Sequence, residues 1–330
     1  MGSQVFSIEG TGGIQFRLWT FPAYRHLLNL NPGFRHPERG DRRPILPLAS
    51  TSYDGFGKPT GLVLGCLPVG PQHPESDLPN EPELLSIYVT PEARHQGHGT
   101  VLIRHLEHRV RTAGSSRLST VYMTRAGETD SLEHVLRRCN WSIPETRSCV
   151  YKGTLHQMQS MPWYVTTMPR HFDICRWVDV SREEISRLRE SQMATGWIMP
   201  SLVPWYYEGG AIDPTSSVGI LYRNEIVGWI LNHKIGDNVL RFTCAFVRRD
   251  LARLGRLMPA LSESVRRAID VGFHRITFAV SAENSPMIRF AERWMRPWLS
   301  FSAETRSAFK DLTGDEKCTA PHRCRVTTVG

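Results

Sequence analysis

"VTPEARHQGHGT" (residues 89–100) sets two glycines two positions apart among charged and imidazole side chains. An apolar run, "ELLSIYV" (83–89), leads into it and a helical run follows. Gly97 and Gly99 either turn the chain or clear space so that a ligand can touch its backbone. The chemistry of a helix start favours the second reading. The first N–H groups of a helix lack an intrahelical acceptor and carry the positive end of its dipole, and a glycine keeps a Cβ out of the path of an approaching anion. The spacing is not that of a dinucleotide-binding G-x-G-x-x-G turn, and no Gly-Lys-Ser/Thr follows as in an ATP loop.

Working outward, the helix expected at about 99–113 places Val101, Leu102, His105, Leu106 and Val110 at a spacing that suits one buried face. The first half reads as a strand at "IQFRLWT" (14–20), a helix near 21–30, and strands at "ILPLAST", "TGLVLGCLPV" and "ELLSIYVT". The 99–113 helix, a strand "RLSTVYMT", a helix at about 129–139 and a strand "RSCVYKGTL" (147–155) complete it. The second half repeats the order: "FDICRWVDV", a helix at 182–193, "SVGILYR", "EIVGWILNHKI", "VLRFTCAFV", a helix at 254–272, "RITFAVSA", a helix at 285–297 and "LSFSAETRSAF" (299–309). Adjacent strands followed by alternating strands and helices predict an α/β chain of the mixed α+β kind, each half a central mixed sheet flanked by helices. The pattern lapses at "HQMQSMPWYVTTM" (156–168), so the expected domains are 1–157 and 158–312, with 313–330 a mobile tail. The stretches 31–44 and 68–82 read as long loops.

A chain of 330 residues, 40% hydrophobic, suits two such domains. No apolar run is long enough to span a bilayer, and "MGSQVFSIEG" lacks a basic segment followed by an apolar core, so no secretory signal is expected. The seven cysteines are scattered without a CxxC pair, which favours reduced thiols in a cytoplasm over a disulfide framework or a zinc site. His105 and His108 share a helix face with no carboxylate or cysteine partner nearby, so no metal is expected. The net charge is +8, and 35 of the 40 basic residues are arginine. That balance suits a polyphosphate ligand, an acidic peptide or a solvated basic surface. Nucleic-acid binding lacks an interleaved aromatic and basic motif.

The run "VTPEARHQGHGTVLIRHLEH" (89–108) resembles the acyl-CoA loop of the GCN5-related N-acetyltransferase (GNAT) superfamily: Val, Pro two positions on, then Arg-x-x-Gly-x-Gly opening a helix. The element order of both halves is similar to that fold, so the resemblance implies a tandem pair covering most of the chain. It implies that Arg94, His95, Gln96, Gly97, His98, Gly99 and Thr100 cradle the CoA pyrophosphate, with the main chain of Ile87, Tyr88 and Val89 alongside the thioester arm. Glu83 stands at the offset of the catalytic glutamate in the histone-acetylating branch and is the candidate general base, with Glu81 in reserve. Family members carry a tyrosine on the helix after the fifth strand that protonates the leaving thiolate. Here that position is Leu136, leaving Tyr122 or solvent as the acid.

The second half departs further. Its loop, "VRRDLARLGRL" (247–257), keeps Gly255 but has Ala252 for Arg94 and Leu257 for Gly99, and Arg241 stands opposite Glu83. Asn284 matches a cofactor-contacting position of the family, and Arg248, Arg249, Arg253 and Arg256 offer side chains to a phosphate. The expected division gives acyl-CoA to the first half and an acceptor-binding or structural role to the second. "MATGWIMPSLVPWYYEGG" (193–210) offers Trp197, Trp205 and Tyr206 as the floor of an acceptor groove, or as packing against the partner domain. The implied function is transfer of an acyl group, acetyl by default or a longer chain, from acyl-CoA to a primary amine of a small molecule or peptide. The alternatives are a catalytically silent acyl-CoA-binding scaffold and an enzyme that fatty-acylates a ribosomally made peptide.

Overall fold

The computed structural model describes residues 4–7, 14–20, 45–68, 81–207, 212–252 and 255–313. In chain order these form β1 (Gln4–Ser7), α1 (Ile14–Trp19), β2 (Ile45–Tyr53), β3 (Pro59–Pro68), β4 (Glu83–Val89), α2 (His98–Thr112), β5 (Arg117–Met123) and α3 (Glu128–Arg138). Then follow β6 (Glu145–Thr154), α4 (Leu155–Gln159), β7 (Phe172–Arg176), α5 (Arg182–Thr195), β8 (Val218–Tyr222), β9 (Glu225–Gly236) and β10 (Val239–Val247). The chain continues through α6 (Arg249–Ala252), α7 (Leu257–Asp270), β11 (Arg275–Ser281), α8 (Ser285–Trp294) and β12 (Phe301–Asp311). The chain is therefore mixed α/β, as the alternation of elements predicts.

Two compact units divide the chain: Met1–Thr146 with Thr305–Gly330, and Arg147–Glu304. The strands of the first unit run β1-β2-β3-β4-β5-β12, and those of the second β6-β11-β10-β9-β8-β7. Each unit holds one parallel neighbour pair, β4/β5 or β10/β11, among antiparallel ones. The repeat of order thus holds, but the closing strands are exchanged. "RSCVYKGTL" pairs with β11, from Cys149 opposite Val280 to Thr154 opposite Arg275. "LSFSAETRSAF" instead pairs with β5, from Thr305 opposite Met123 to Asp311 opposite Arg117. Both are strands of similar length that can lie antiparallel to either partner, so periodicity alone does not choose between them. Side chains do: Lys310 of β12 donates to Cys139 O at 2.9 Å, and Tyr151 of β6 donates to Glu292 at 2.6 Å.

The boundary expected at 157/158 moves for the same reason, and also because the stretch after it is core. Thr154 caps α4 in a reciprocal box with Gln157. Leu155, Met158, Met161 and Trp163 are buried with Val218, Ile230 and Val265 of the second unit. "IQFRLWT" is a helix instead of a strand. Alternation would put Phe16 and Leu18 on one face, whereas Phe16 is 8% exposed and Leu18 69%. Helical spacing instead brings Phe16 against Trp19 edge-to-face, with ring centroids 5.6 Å apart. The helix expected near 21–30, the loop over 31–44, most of that over 68–82 and the tail beyond 313 lie outside the described residues.

In the first unit α2 packs Leu102, Leu106 and Val110, all fully buried, against Leu48, Val63 and Leu84 of the sheet. Burial of each such side chain stabilises by about 1.5–3 kcal/mol. The opposite face is covered by Phe16 and Trp19 over Leu62, Leu64 and Leu85. In the second unit α7 covers one face with Leu261 and Val265. Trp177, Leu188 of α5, Ile198 and Val203 cover the other, over Trp229 and Leu231.

Candidate active site

β4 leaves its neighbour β5 almost as soon as it meets it. The parallel pairing covers Glu83 with Ser119 and Leu84 with Thr120, closed by Thr120 Oγ1 donating to Leu84 O at 2.9 Å. On the β3 side the register skips one residue between Leu84 and Ser86, so Leu85 is a bulge that bends the strand. Ile87, Tyr88 and Val89 go on pairing with β3. Toward β5 they have no ladder partner, so the β4/β5 ladder is open beyond Leu84 and Thr120. Leu84, Ile87 and Val89 pack on the α2 side of the sheet, while Leu85 and Tyr88 turn to the α1 side, where Tyr88 stacks on Trp19 at 5.4 Å.

The loop after β4 ends in a left-handed turn. Pro91–Ala93 form one 3-10 turn, Arg94 is extended, and His95 and Gly97 take φ of 62° and 87°. Arg94 folds back, donating from Nε to Val89 O at 3.2 Å, and Gln96 donates to Glu92 O at 2.7 Å. α2 starts without a side-chain cap, and the bond from Val101 N–H to Gly97 O (3.1 Å) closes its first turn. The N–H groups of His98, Gly99 and Thr100 precede that bond and point out of the helix start. A Cβ on Gly97 would meet no atom within 4 Å. A Cβ on Gly99 would meet Val135 of α3 at 3.4 Å. Gly97 therefore borders the open space, and Gly99 permits close packing of α2 against α3. His98 is turned inward: it is 6% exposed, its Nδ1 lies 3.1 Å from Thr60 Oγ1, and burial lowers its pKa.

Glu83 begins β4 at the closed end of the opening, opposite Cys66 of β3, and is 5% exposed. Strand alternation puts it on the α1 side, with Leu84 on the other. Glu81 stands outside β4, 3.5 Å from Arg117 in a surface ion pair. Leu136 is core, 1% exposed. Tyr122 stands on β5 beyond its last pairing with β4, and its ring packs with Ile87, Val89, Val101, Leu132 and Val135 at the rim of the α2–α3 core. Its hydroxyl donates to Glu133 Oε1 at 2.9 Å, and Arg306 of β12 donates to the same oxygen at 2.9 Å. Burial first, then the Glu133 carboxylate, hold the phenol well above the ordinary tyrosine range. Its proton is thus engaged with Glu133. Neither Glu133 nor Arg306 stands out in the sequence; a lone arginine within a strand of small residues, "SAETRSAF", is the signal that was there to read.

The second unit keeps the geometry and changes the chemistry. β10 carries its bulge at Thr243, between Phe242 and Cys244, which puts Arg241, two residues earlier, where Glu83 stands relative to Leu85. Gly255 takes φ of 68°, matching Gly97 twelve residues after the bulge. Leu257 packs onto the unit's core. Its Gly99 counterpart likewise faces packed side chains, so this position is a packing site in both units. Arg248 is paired with Asp250 at 2.9 Å and Arg256 lies over the Phe172 ring at 5.0 Å, while Asn284 caps α8 by accepting from Met287 N–H. Arg253 lies outside the described residues.

Of the aromatic residues expected to floor an acceptor groove, Trp197 packs against Trp229 and Phe246, and Trp205 lies under the Arg189 guanidinium at 5.2 Å. Tyr206 is 62% exposed. The segment is fastened down by Trp229 Nε1 and Cys244 Sγ, both donating to Leu202 O, and by His233 against Tyr207 O at 3.0 Å. Trp197 and Trp205 thus belong to the second unit's own core. Among the described residues no three His, Cys, Asp or Glu side chains are grouped to hold a metal ion, and no helix is long and apolar enough to cross a membrane.

Residues 18–133 match the acetyltransferase (GNAT) family model. No curated protein matches the sequence. Among solved structures, the chain is similar to a tandem GNAT protein from the clavulanic acid biosynthesis pathway, at 10% identity and a TM-score of 0.53 over 96% of this chain and all of that one. It is also similar to a GCN5-related N-acetyltransferase from Sphaerobacter thermophilus (16% identity, TM-score 0.53, 80% of each chain). A GNAT-family acetyltransferase from Colwellia psychrerythraea aligns at 10% identity and a TM-score of 0.50 over 93% of this chain and all of that one. At these identities the likeness is one of fold. Residues 18–133 thus resemble the acetyltransferase (GNAT) family, and the chain shares the fold of tandem GNAT proteins.

Proposed function

We propose that the first unit is an N-acyltransferase that moves an acyl group, acetyl by default, from acyl-CoA to a primary amine. The observation that carries this reading is the opening between β4 and β5 beside an uncapped helix start, with Gly97 in the left-handed conformation bordering open space. The three N–H groups at the start of α2 suit a pyrophosphate, and the edge of Ile87 and Tyr88 that does not pair with β5 suits the amide-bearing arm that joins it to the thioester. A main-chain N–H on that edge polarises the thioester carbonyl. The amine loses a proton to Glu83, directly or through water, attacks the carbonyl carbon, and the C–S bond breaks to release CoA thiolate, which solvent protonates. In the second unit Arg241 replaces the base, and the 197–207 segment fills the face where an acceptor would sit, which supports a structural or acceptor-positioning role.

The test is release of free CoA from acetyl-CoA in the presence of a panel of primary amines, for wild type and Glu83→Gln. Turnover that falls about 100-fold or more in the variant, in line with loss of a general base, with acyl-CoA binding retained, is the expected result. Tight binding of acyl-CoA without turnover of any amine favours the scaffold reading, and unchanged turnover in Glu83→Gln removes Glu83 as the base.

A further inference from the structure

Tyr122 has one hydroxyl proton, and the structure spends it on Glu133 Oε1 at 2.9 Å. That oxygen is the acceptor of two donors, since Arg306 donates to it as well, at 2.9 Å. With its proton turned toward α3, the phenolic oxygen has only lone pairs to offer the opening. Whatever meets it there must be a donor, and a thiolate is not one. The surroundings narrow the donor further. Tyr122 shares its side of the sheet with Ile87, Val89, Val101, Leu132 and Val135, an apolar lining. Glu83 lies on the other side with Leu85 and Tyr88. An ammonium would be stripped of water in that lining with no carboxylate free to receive it, whereas a neutral amide on an aliphatic chain fits it.

We infer that Tyr122 is a fixed hydrogen-bond acceptor for an amide N–H of the pantetheine arm of acyl-CoA, and that Glu133 and Arg306 are positioning residues that set its polarity. This rests on the acyl-CoA reading of the first unit and replaces the sequence-based role of Tyr122 as the acid. The strand that supplies Arg306 is β12, so the exchanged segment contributes directly to the cofactor cleft of the first unit.

The experiment is titration calorimetry of CoA and of ADP, which has the pyrophosphate but no arm, with steady-state kinetics across pH. Tyr122→Phe is expected to weaken CoA binding and raise KM for acyl-CoA by roughly 3- to 10-fold, the size of one hydrogen bond. ADP affinity, kcat and the pH profile of kcat stay as in wild type. Glu133→Gln, whose amide can donate to Tyr122 and turn its proton outward, gives the same loss for CoA and none for ADP. Arg306→Met, which removes the second donor that anchors Glu133, gives a smaller loss for CoA, and Arg306→Lys restores most of it. Unchanged CoA affinity in Tyr122→Phe overturns the inference, as does a fall in kcat with loss of its alkaline limb, which marks a proton donor. Equal losses for CoA and ADP overturn it too, since they mark a merely structural effect. Failure of wild type to bind CoA at all strikes instead at the proposed function.

Discussion

Gly97 and Gly255 form a matched pair on which the cofactor assignment can be tested. Both hold left-handed φ, 87° and 68°, and a Cβ at either would meet no protein atom within 4 Å. An alanine therefore costs only the backbone strain, about 1–2 kcal/mol for an L-residue, less some 0.4–1 kcal/mol regained from the stiffer unfolded chain. Each Gly→Ala variant is expected to lose about 1 kcal/mol, a drop of roughly 2–4 °C in the melting of its unit. Binding separates them. At position 97 the new methyl projects beside the N–H groups of His98, Gly99 and Thr100, at the proposed pyrophosphate site. Acyl-CoA affinity falls at least about tenfold, or 1.4 kcal/mol, in Gly97→Ala and is untouched in Gly255→Ala. Thermal scans and calorimetric titration of both variants read the two effects separately. If Gly97→Ala melts as expected yet binds acyl-CoA like wild type, the assignment of that open space to the pyrophosphate is wrong. Equal losses of affinity in the two variants would place a cofactor in each unit and sink the division of labour.

Ending the chain after Glu304 removes the β12 partner of β5. The first unit then becomes protease-sensitive while 147–304 survives digestion; equal resistance of both units would contradict the exchange. Asn232 is fully buried and donates from Nδ2 to Ser216 O, Ser216 Oγ and Ser264 Oγ at 2.8–3.0 Å. Asn232→Leu is expected to cost about 2–4 kcal/mol by removing the donor shared by these buried groups and leaving Ser216 Oγ without it, read as a shift of the second unit's urea midpoint, and a neutral result would refute the network's role. Burial, with Arg109 and His108 adding to it, pushes His105 down to about 4 from an ordinary 6.5. It is neutral in the folded protein and protonates first when unfolded, so its contribution is complete above about pH 6.5 and is lost as pH falls toward 4. His105→Gln should flatten the decline in melting temperature over that window, and an unchanged slope would assign it to other groups.

The parts of the fold that periodicity dictates were legible in the sequence. Leu102, Leu106 and Val110 fall on the buried face of α2 as their spacing requires, and "VLRFTCAFV" is a strand over its whole length. What periodicity leaves degenerate was not legible. Two closing strands of like pattern can serve either unit, and a six-residue helix such as α1 is too short for its period to outweigh alternation. The loop at 89–100 is a left-handed turn into a helix start, but only Gly97 borders open space, because the role of Gly99 depends on Val135, 36 residues away. Tyr122 is visible as a residue and opaque as a chemical group. Which way its proton points depends on Glu133 and on an arginine more than 180 residues downstream.

The exchange of closing strands also sets an order of events during synthesis. Chains emerge from the ribosome N-terminus first, and domains ordinarily fold in that sequence. Here the first unit stays one strand short until Thr305–Asp311 has been translated, whereas Arg147–Glu304 is continuous and has all its strands by then. The unit that begins the chain is the last to close. Until it does, β5 exposes an unpaired edge, which makes the span between translation of Met123 and of Thr305 the window in which a nascent chain most needs a chaperone.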